Sequence, residues 1–365
     1  MTTLFHKCGR GELHAHDAAL SSAAHAANAP KTNRPLTIDM HCHIVTPAVE
    51  KLIADTPQKK GEREFMVRTM GEASTTHNQQ MFAGMAARLA DVDTRLGEMD
   101  AMGVDVQVIS ASPGQYYYWA EREMAAEIVR LQNERIAEVC TQHPKRFLGL
   151  GAISMQHPDL AVAQMEHAMR QLGMKGVQVS TAVNGADLSD ARYNPFWAQA
   201  EALNAVVFIH PLGTSLGERV NTHYLSNIIG QPIETTIALS KLIFDGVLDR
   251  HPALKLLAAH GGGYLPSYIG RSDHGHKVRP EAGGLQLKPS DYLKRIYFDN
   301  LVFTPHQIKT LIEQVGVTQV VVGTDYPFDM GQYDVHDIVN AVEGLSEAER
   351  ILILSGNALR LMGMN

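Results

Sequence analysis

The chain has 365 residues, of which 45% are hydrophobic, 19% charged and 6% aromatic, enough apolar material for a large core. Its 32 Lys and Arg against 39 Asp and Glu give a net charge of −7 with no basic tract, which argues against nucleic acid or an anionic membrane as partner. Three widely spaced cysteines (Cys8, Cys42, Cys140) make no disulfide framework and suit a cytoplasmic setting, and no apolar window is long enough to predict a membrane span.

Residues 1–34 are small, polar and dotted with histidine, and they lack the basic-then-apolar order of a secretory signal. They read as an N-terminal extension lying over the surface or partly disordered. From residue 35 to 365 one domain is expected, because no repeat or low-complexity linker divides it. Its short apolar, β-branched runs predict strands at 36–41, 104–111, 146–153, 176–181, 205–210, 254–260, 295–301 and 318–325. Amphipathic helical stretches separate them, among them EMAAEIVRLQNERIAEVCTQ, PDLAVAQMEHAMRQLG and PHQIKTLIEQVG. Near-continuous apolar strands alternating with helices indicate parallel strands covered on both faces. Eight of them fit a (β/α)8 TIM-type barrel, with an open doubly wound sheet as the alternative. An insertion after the first strand, residues 44–103, predicts a small hairpin at GEREFMVRTMG and a long helix around MFAGMAARLADVDTRLGEMD. At the strand-end face of a barrel, such an insertion is placed to act as a lid.

The ends of the strands carry the chemistry. The first ends in His41-Cys42-His43, the fifth in His210, the sixth in His260 before three glycines, and the eighth in Asp325. In a barrel these ends converge on one mouth, and residues two apart on a strand face the same side. His41, His43, His210 and Asp325 then form an N3O set suited to Zn²⁺ or a harder divalent ion such as Mn²⁺. Cys42 between the ligands should point into the core. His14 and His16 share the spacing but follow no strand, which favours a solvated surface pair. His260 is open to two readings, metal ligand or general acid/base, and an imidazole titrating near neutrality suits the second.

The motifs IDMHCH, FIHP, AAHGGG, GTDYPF and SGNALRLMG, with HGGGYLPSYIGRSDHG and LGMKGVQV, make the chain resemble the decarboxylating branch of the amidohydrolase superfamily from about residue 36 onward. The resemblance implies one divalent ion, usually zinc, on His41, His43, His210 and Asp325, with His260 as acid/base. It also implies a homodimer in which Arg271 crosses to the neighbouring site to hold a substrate carboxylate. A second substrate arginine is expected in the insertion, where Arg68 and Arg63 both qualify. The planar guanidinium fork suits that task. The segment Leu212-Gly213-Thr214 departs from the Trp-Asp usual in the branch's best-known member, and it borders the substrate.

Many binuclear amidohydrolases bridge two metals through a carboxylated lysine at the end of the fourth strand. Lys175 instead precedes that strand, whose end offers Ser180 and Thr181, so one metal is expected. The implied activity is a metal-dependent, non-oxidative decarboxylase (a carboxy-lyase). Its substrate would be an unsaturated or aromatic carboxylic acid of the 2-amino-3-carboxymuconate-6-semialdehyde or hydroxybenzoate kind, and Asp325 and His260 would serve the reaction. Hydrolysis of a lactone or amide, or hydration of a dienoate, on the same metal site is the alternative. A catalytically silent metal-binding scaffold is a third.

Overall fold

A computed structural model describes residues 34–364. The expected N-terminal extension, with His14, His16 and Cys8, lies outside these residues except for Arg34, which pairs with Asp105 at 2.8 Å.

Among the described residues ten strands form: β1 (Ile38–Ile44), β2 (Val106–Ala111), β3 (Phe147–Gly149), β4 (Gly176–Val179), β5 (Ala182–Val183), β6 (Ala186–Asp187), β7 (Val206–Ile209), β8 (Lys255–Ala258), β9 (Ile296–Asp299) and β10 (Val320–Val321). β5 and β6 make a small antiparallel hairpin that the sequence did not predict. The other eight are parallel, in one ladder β1-β2-β3 and a second in the order β10-β9-β8-β7-β4. Single bridges close the ring: Gly151 to Val177 joins β3 to β4, and Asp39 to Val322 joins β1 to β10. The fold is the (β/α)8 barrel.

Between β1 and β2 the chain forms helices joined by short turns, with no strand: α1 (Pro47–Ile53), α2 (Pro57–Lys60), α3 (Glu62–Gly84), α4 (Ala86–Ala90) and α5 (Val92–Met102). The hairpin expected at residues 61–71 is absent. Its Glu-Phe-Met-Val stretch was too short to separate strand from helix by periodicity. Gly71, at φ 83°, breaks α3 into two segments rather than turning a hairpin. A Cβ there would meet the Asn221 carbonyl oxygen at 2.1 Å, so only glycine lets the two backbones approach.

Outside the barrel follow α6 (Arg122–Gln142), α7 (Pro158–Arg170), α8 (Asn194–Ala202), α9 (Gln231–Phe244), α10 (Val247–Arg250), α11 (Leu265–Val278), α12 (Pro289–Leu293) and α13 (Pro305–Val315), then α14 (Val335–Asn340), α15 (Glu347–Ile351) and α16 (Asn357–Met362). Two apolar layers result. The larger lies between strands and helices and takes Cys42, Ile109, Val179 and Ile209, so Cys42 does point into the core. The smaller fills the barrel with Met40, Val108, Leu150, Phe208, Leu257 and Val321, and Leu361 and Met362 of α16 pack onto it. Asn357 anchors α16 by donating to the carbonyls of Val317 and Val320 at 2.8 and 2.7 Å, at the end where β10 begins. That end is plugged with hydrocarbon. No helix among the described residues is long and apolar enough to cross a membrane.

Candidate metal centre and active site

At the opposite end, five side chains converge. One ligand atom from each of His41, His210, His260 and Asp325 can be chosen so that all four lie within 4.8 Å of one another. His43 joins them through Nε2, which is 3.2 Å from both His41 Nε2 and Asp325 Oδ1. The rings of His41 and His210 lie 4.8 Å apart between centroids, and each contacts both His43 and His260 at 4.9 to 5.2 Å. His43 and His260 therefore flank the centre from two sides.

A local irregularity in β1 aims these residues. The register against β2 pairs Asp39 with Gln107 but Cys42 with Ile109, so three steps on one strand match two on the other. This bulge puts an extra residue at Met40-His41. Without it, Asp39, His41 and His43 would share one face. With it, Asp39 turns outward and is fully satisfied: it accepts from Thr324 Oγ1 (2.6 Å), the Thr324 and His41 amides (3.1 Å each) and Gln107 Nε2 (3.2 Å). Complete burial still pushes its carboxyl up to about 6. Arg95, itself buried, donates to Gln107 Oε1 and to the His43 carbonyl oxygen, and its guanidinium lies 4.6 Å from the Tyr326 ring centroid. It thus ties the ends of β1 and β10 together.

The imidazoles are oriented from behind. His41 Nδ1 donates to Asp299 Oδ2 at 2.7 Å, leaving Nε2 turned to the centre. Asp299, at the end of β9, also accepts from the amides of His260 and Gly261 at 2.9 and 2.8 Å. His210 Nδ1 faces the Pro211 carbonyl at 2.8 Å, and a carbonyl only accepts, so this nitrogen carries the proton. His210 Nε2 and Asp325 Oδ1 are then buried with no hydrogen-bond partner among the described residues. The atoms that meet here outnumber the protons the side chains bring, and the donor set fits a divalent ion.

The electrostatics agree. Burial works to lower the His41 pKa, but Asp325 and Asp299 outweigh it and hold this imidazole up at about 10. Burial pushes His43 down to about 4 and His210 well below the usual range. Burial alone would raise Asp325; the charge on His41, followed by the close contacts with His260 and His43, instead drives it well below the carboxylate range. The cluster of side chains thus retains one proton where a metal would otherwise supply the positive charge. His260 differs from the others: its side chain is 17% exposed, its Nδ1 has no partner, and its Nε2 stands 3.6 Å from Asp325 Oδ2. His260 and Asp325 also hold left-handed backbone, at φ 54° and 56°.

The arginines stand elsewhere. Arg271 is exposed on α11, Arg68 is exposed on α3 with its guanidinium 5.7 Å from the Phe65 ring centroid, and Arg63 pairs with Glu72. None of the three takes part in the cluster's hydrogen bonds or ion pairs. Lys175 lies just before β4 and gives its amide to the Gly149 carbonyl, at the plugged end. The sequence reading passed over Asp299, Gln178 and Arg95. Asp299 could have been found, since it is the carboxylate inside the seventh run, directly after its apolar Ile-Tyr-Phe.

Residues 38–364 match the amidohydrolase family, and the chain belongs to it. It is 32% identical over 337 residues, 91% of this chain and 93% of the relative, to a 2-amino-3-carboxymuconate-6-semialdehyde decarboxylase from Dictyostelium discoideum. The crystal structure of a 5-carboxyvanillate decarboxylase from Sphingomonas paucimobilis is similar at a TM-score of 0.79 and 25% identity, covering 91% of this chain and 100% of that one. A second 5-carboxyvanillate decarboxylase, from Novosphingobium aromaticivorans and complexed with manganese, shares the fold at a TM-score of 0.81 and 21% identity, covering 90% of this chain and 96% of that one.

Proposed function

We propose that the chain is a metal-dependent, non-oxidative carboxy-lyase acting on an unsaturated or aromatic carboxylic acid. The observation that carries this reading is the convergence of His41, His43, His210 and Asp325 at the barrel mouth, where His210 Nε2 and Asp325 Oδ1 are buried with no hydrogen-bond partner among the described residues. These four would hold one divalent ion, with zinc favoured by the N3O set. The manganese of the Novosphingobium structure makes Mn²⁺ the other candidate. The ion would act as a Lewis acid, drawing electron density from a substrate oxygen conjugated with the reacting carbon. His43, fully buried, suits a ligand, whereas half-open His260 suits proton transfer.

His260 Nε2 would give a proton to the carbon bearing the carboxylate, interrupting the conjugation. The carbon–carboxylate bond then breaks, its electron pair returns to the conjugated system, and CO2 leaves. One proton enters and one CO2 departs, so no oxidant is required. Asp325 holds the His260 ring through the 3.6 Å contact and is also a ligand. The helices between β1 and β2 act as a lid. Supporting this, His77 of α3 meets Asp329 at 3.2 Å, and Phe82 packs on Phe328, whose ring lies 5.5 Å from that of His43.

Arg271 and Arg68 or Arg63 would bind substrate carboxylates, Arg271 from the second subunit of a homodimer. Its exposure and its place outside the cluster are what a role across an interface requires. The widely spaced cysteines support a cytoplasmic setting.

The test is CO2 release from 2-amino-3-carboxymuconate-6-semialdehyde and a hydroxybenzoate panel, with metal content measured in the same sample. No release from a zinc- or manganese-loaded protein would overturn the reading. Opening of a lactone panel without CO2 would install the hydrolase alternative instead. For the arginine, mixing inactive Arg271→Ala and His260→Ala protomers should restore part of the activity, whereas a mixture that stays dead removes the shared site.

A further inference from the structure

Behind the ring of His43 runs a chain of hydrogen bonds whose direction is set atom by atom. The Ala111 carbonyl oxygen can only accept, so the Gln178 atom 2.9 Å from it is the amide nitrogen Nε2. The second Nε2 proton goes to the Tyr116 hydroxyl at 2.9 Å, and that hydroxyl in turn donates to the His210 carbonyl at 3.2 Å. Gln178 Oε1 must then face Ser110 Oγ, at 2.5 Å. Two oxygens this close need a proton between them, and the serine alone can supply it. The Cys42 carbonyl, 3.2 Å from the same Oγ, is the weaker competitor. With its proton engaged, Ser110 Oγ can only accept from His43 Nδ1, 3.4 Å away. Gln178 and Ser110 are 2% and 1% exposed, so bulk solvent does not compete for these groups.

We infer that Gln178, acting through Ser110, is a positioning residue that fixes the His43 proton on Nδ1 and keeps Nε2 a bare lone pair directed at the metal. This rests on the metal-centre reading above. The relay starts at one histidine ligand and ends on the backbone of another, so the rotamer of a single amide sets both the tautomer of His43 and the placement of β7's end. A leucine or valine at position 178 would leave the serine proton free to turn toward His43 Nδ1. That would move the imidazole proton to Nε2, where it blocks coordination.

The test uses the full chain and zinc as probe. Chelator competition gives zinc affinity, and nitrogen-15 NMR of the metal-free protein reports the His43 tautomer. Ser110→Ala and Gln178→Met should each weaken zinc binding by about 10- to 100-fold and raise the Nε2–H form of His43. Ser110→Thr, which retains the hydroxyl, should bind zinc as the parent does. Tyr116→Phe should cost less than Gln178→Met, because Ala111 still orients the amide. Wild-type affinity in both Ser110→Ala and Gln178→Met, or weaker affinity with an unchanged His43 tautomer, would overturn the inference. Should Gln178→Met not fold, the Ser110→Ala and Ser110→Thr pair decides. Failure of the parent protein to take up any divalent ion would defeat the metal reading, and the NMR readout would still judge the relay.

Discussion

The two ends of the barrel use buried polar groups in opposite ways. At the start of the strands, Asn357 is fully buried and its amide donates to two carbonyls, while Leu361 and Met362 close the floor. At the strand ends, His210 Nε2 and Asp325 Oδ1 are also buried but have no hydrogen-bond partner among the described residues. The contrast recurs in two carboxylates: Asp39 on the outer side of the bulge takes four hydrogen bonds, whereas Asp325 Oδ1 has imidazole nitrogens at 3.2 Å but no hydrogen bond of its own. A buried polar group that finds its partners within the chain maintains the fold. Several that do not, drawn from different strands to one point, mark a place built for a ligand.

Substitutions can break that contrast. The largest effect is expected from Asp325→Ala, which should abolish turnover and metal retention together, as measured by metal analysis after dialysis. His260→Ala should keep the metal and lower kcat by about 10²- to 10⁴-fold, the span expected for losing a general acid. If metal analysis finds that variant stripped, His260 is a ligand instead. At the other end, Leu361→Ala should destabilise the fold by about 2–5 kcal/mol in urea unfolding while zinc affinity stays the same. A loss of zinc affinity there would show that the two ends are coupled.

The smallest effect concerns pH. His41 is raised from 6.5 to about 10, so its protonated form stabilises the metal-free fold. That contribution is complete below pH 6.5 and disappears as pH rises through 10. The metal-free Tm should therefore fall across that window, and metal uptake below it should release a proton detectable in an unbuffered titration. A flat metal-free Tm would place the proton elsewhere.

Much of this was legible in the sequence because it was written in periodicity. Eight apolar runs became eight parallel strands, and four of them ended in the residues that now meet. The i, i+2 spacing put His41 and His43 on one side correctly. It gave no sign of the bulge that keeps Asp39 off that side, since an extra residue in a strand does not change the letters. The residues 61–71 were misread because a short alternating stretch inside a helix resembles a strand, and tertiary contact with Asn221 decided the matter. Gln178 and Ser110 were invisible for another reason: they lie on different strands, and only coordinates show that their oxygens touch.

The left-handed backbone at His260 and Asp325 has a thermodynamic corollary. A side chain at such an angle strains the peptide, and glycine would relieve it by about 1 kcal/mol relative to alanine. His260→Gly should thus melt above His260→Ala, although neither should turn over substrate. Two of the five positions in this centre thus carry an uncomfortable geometry, which selection for heat resistance alone would be expected to erase.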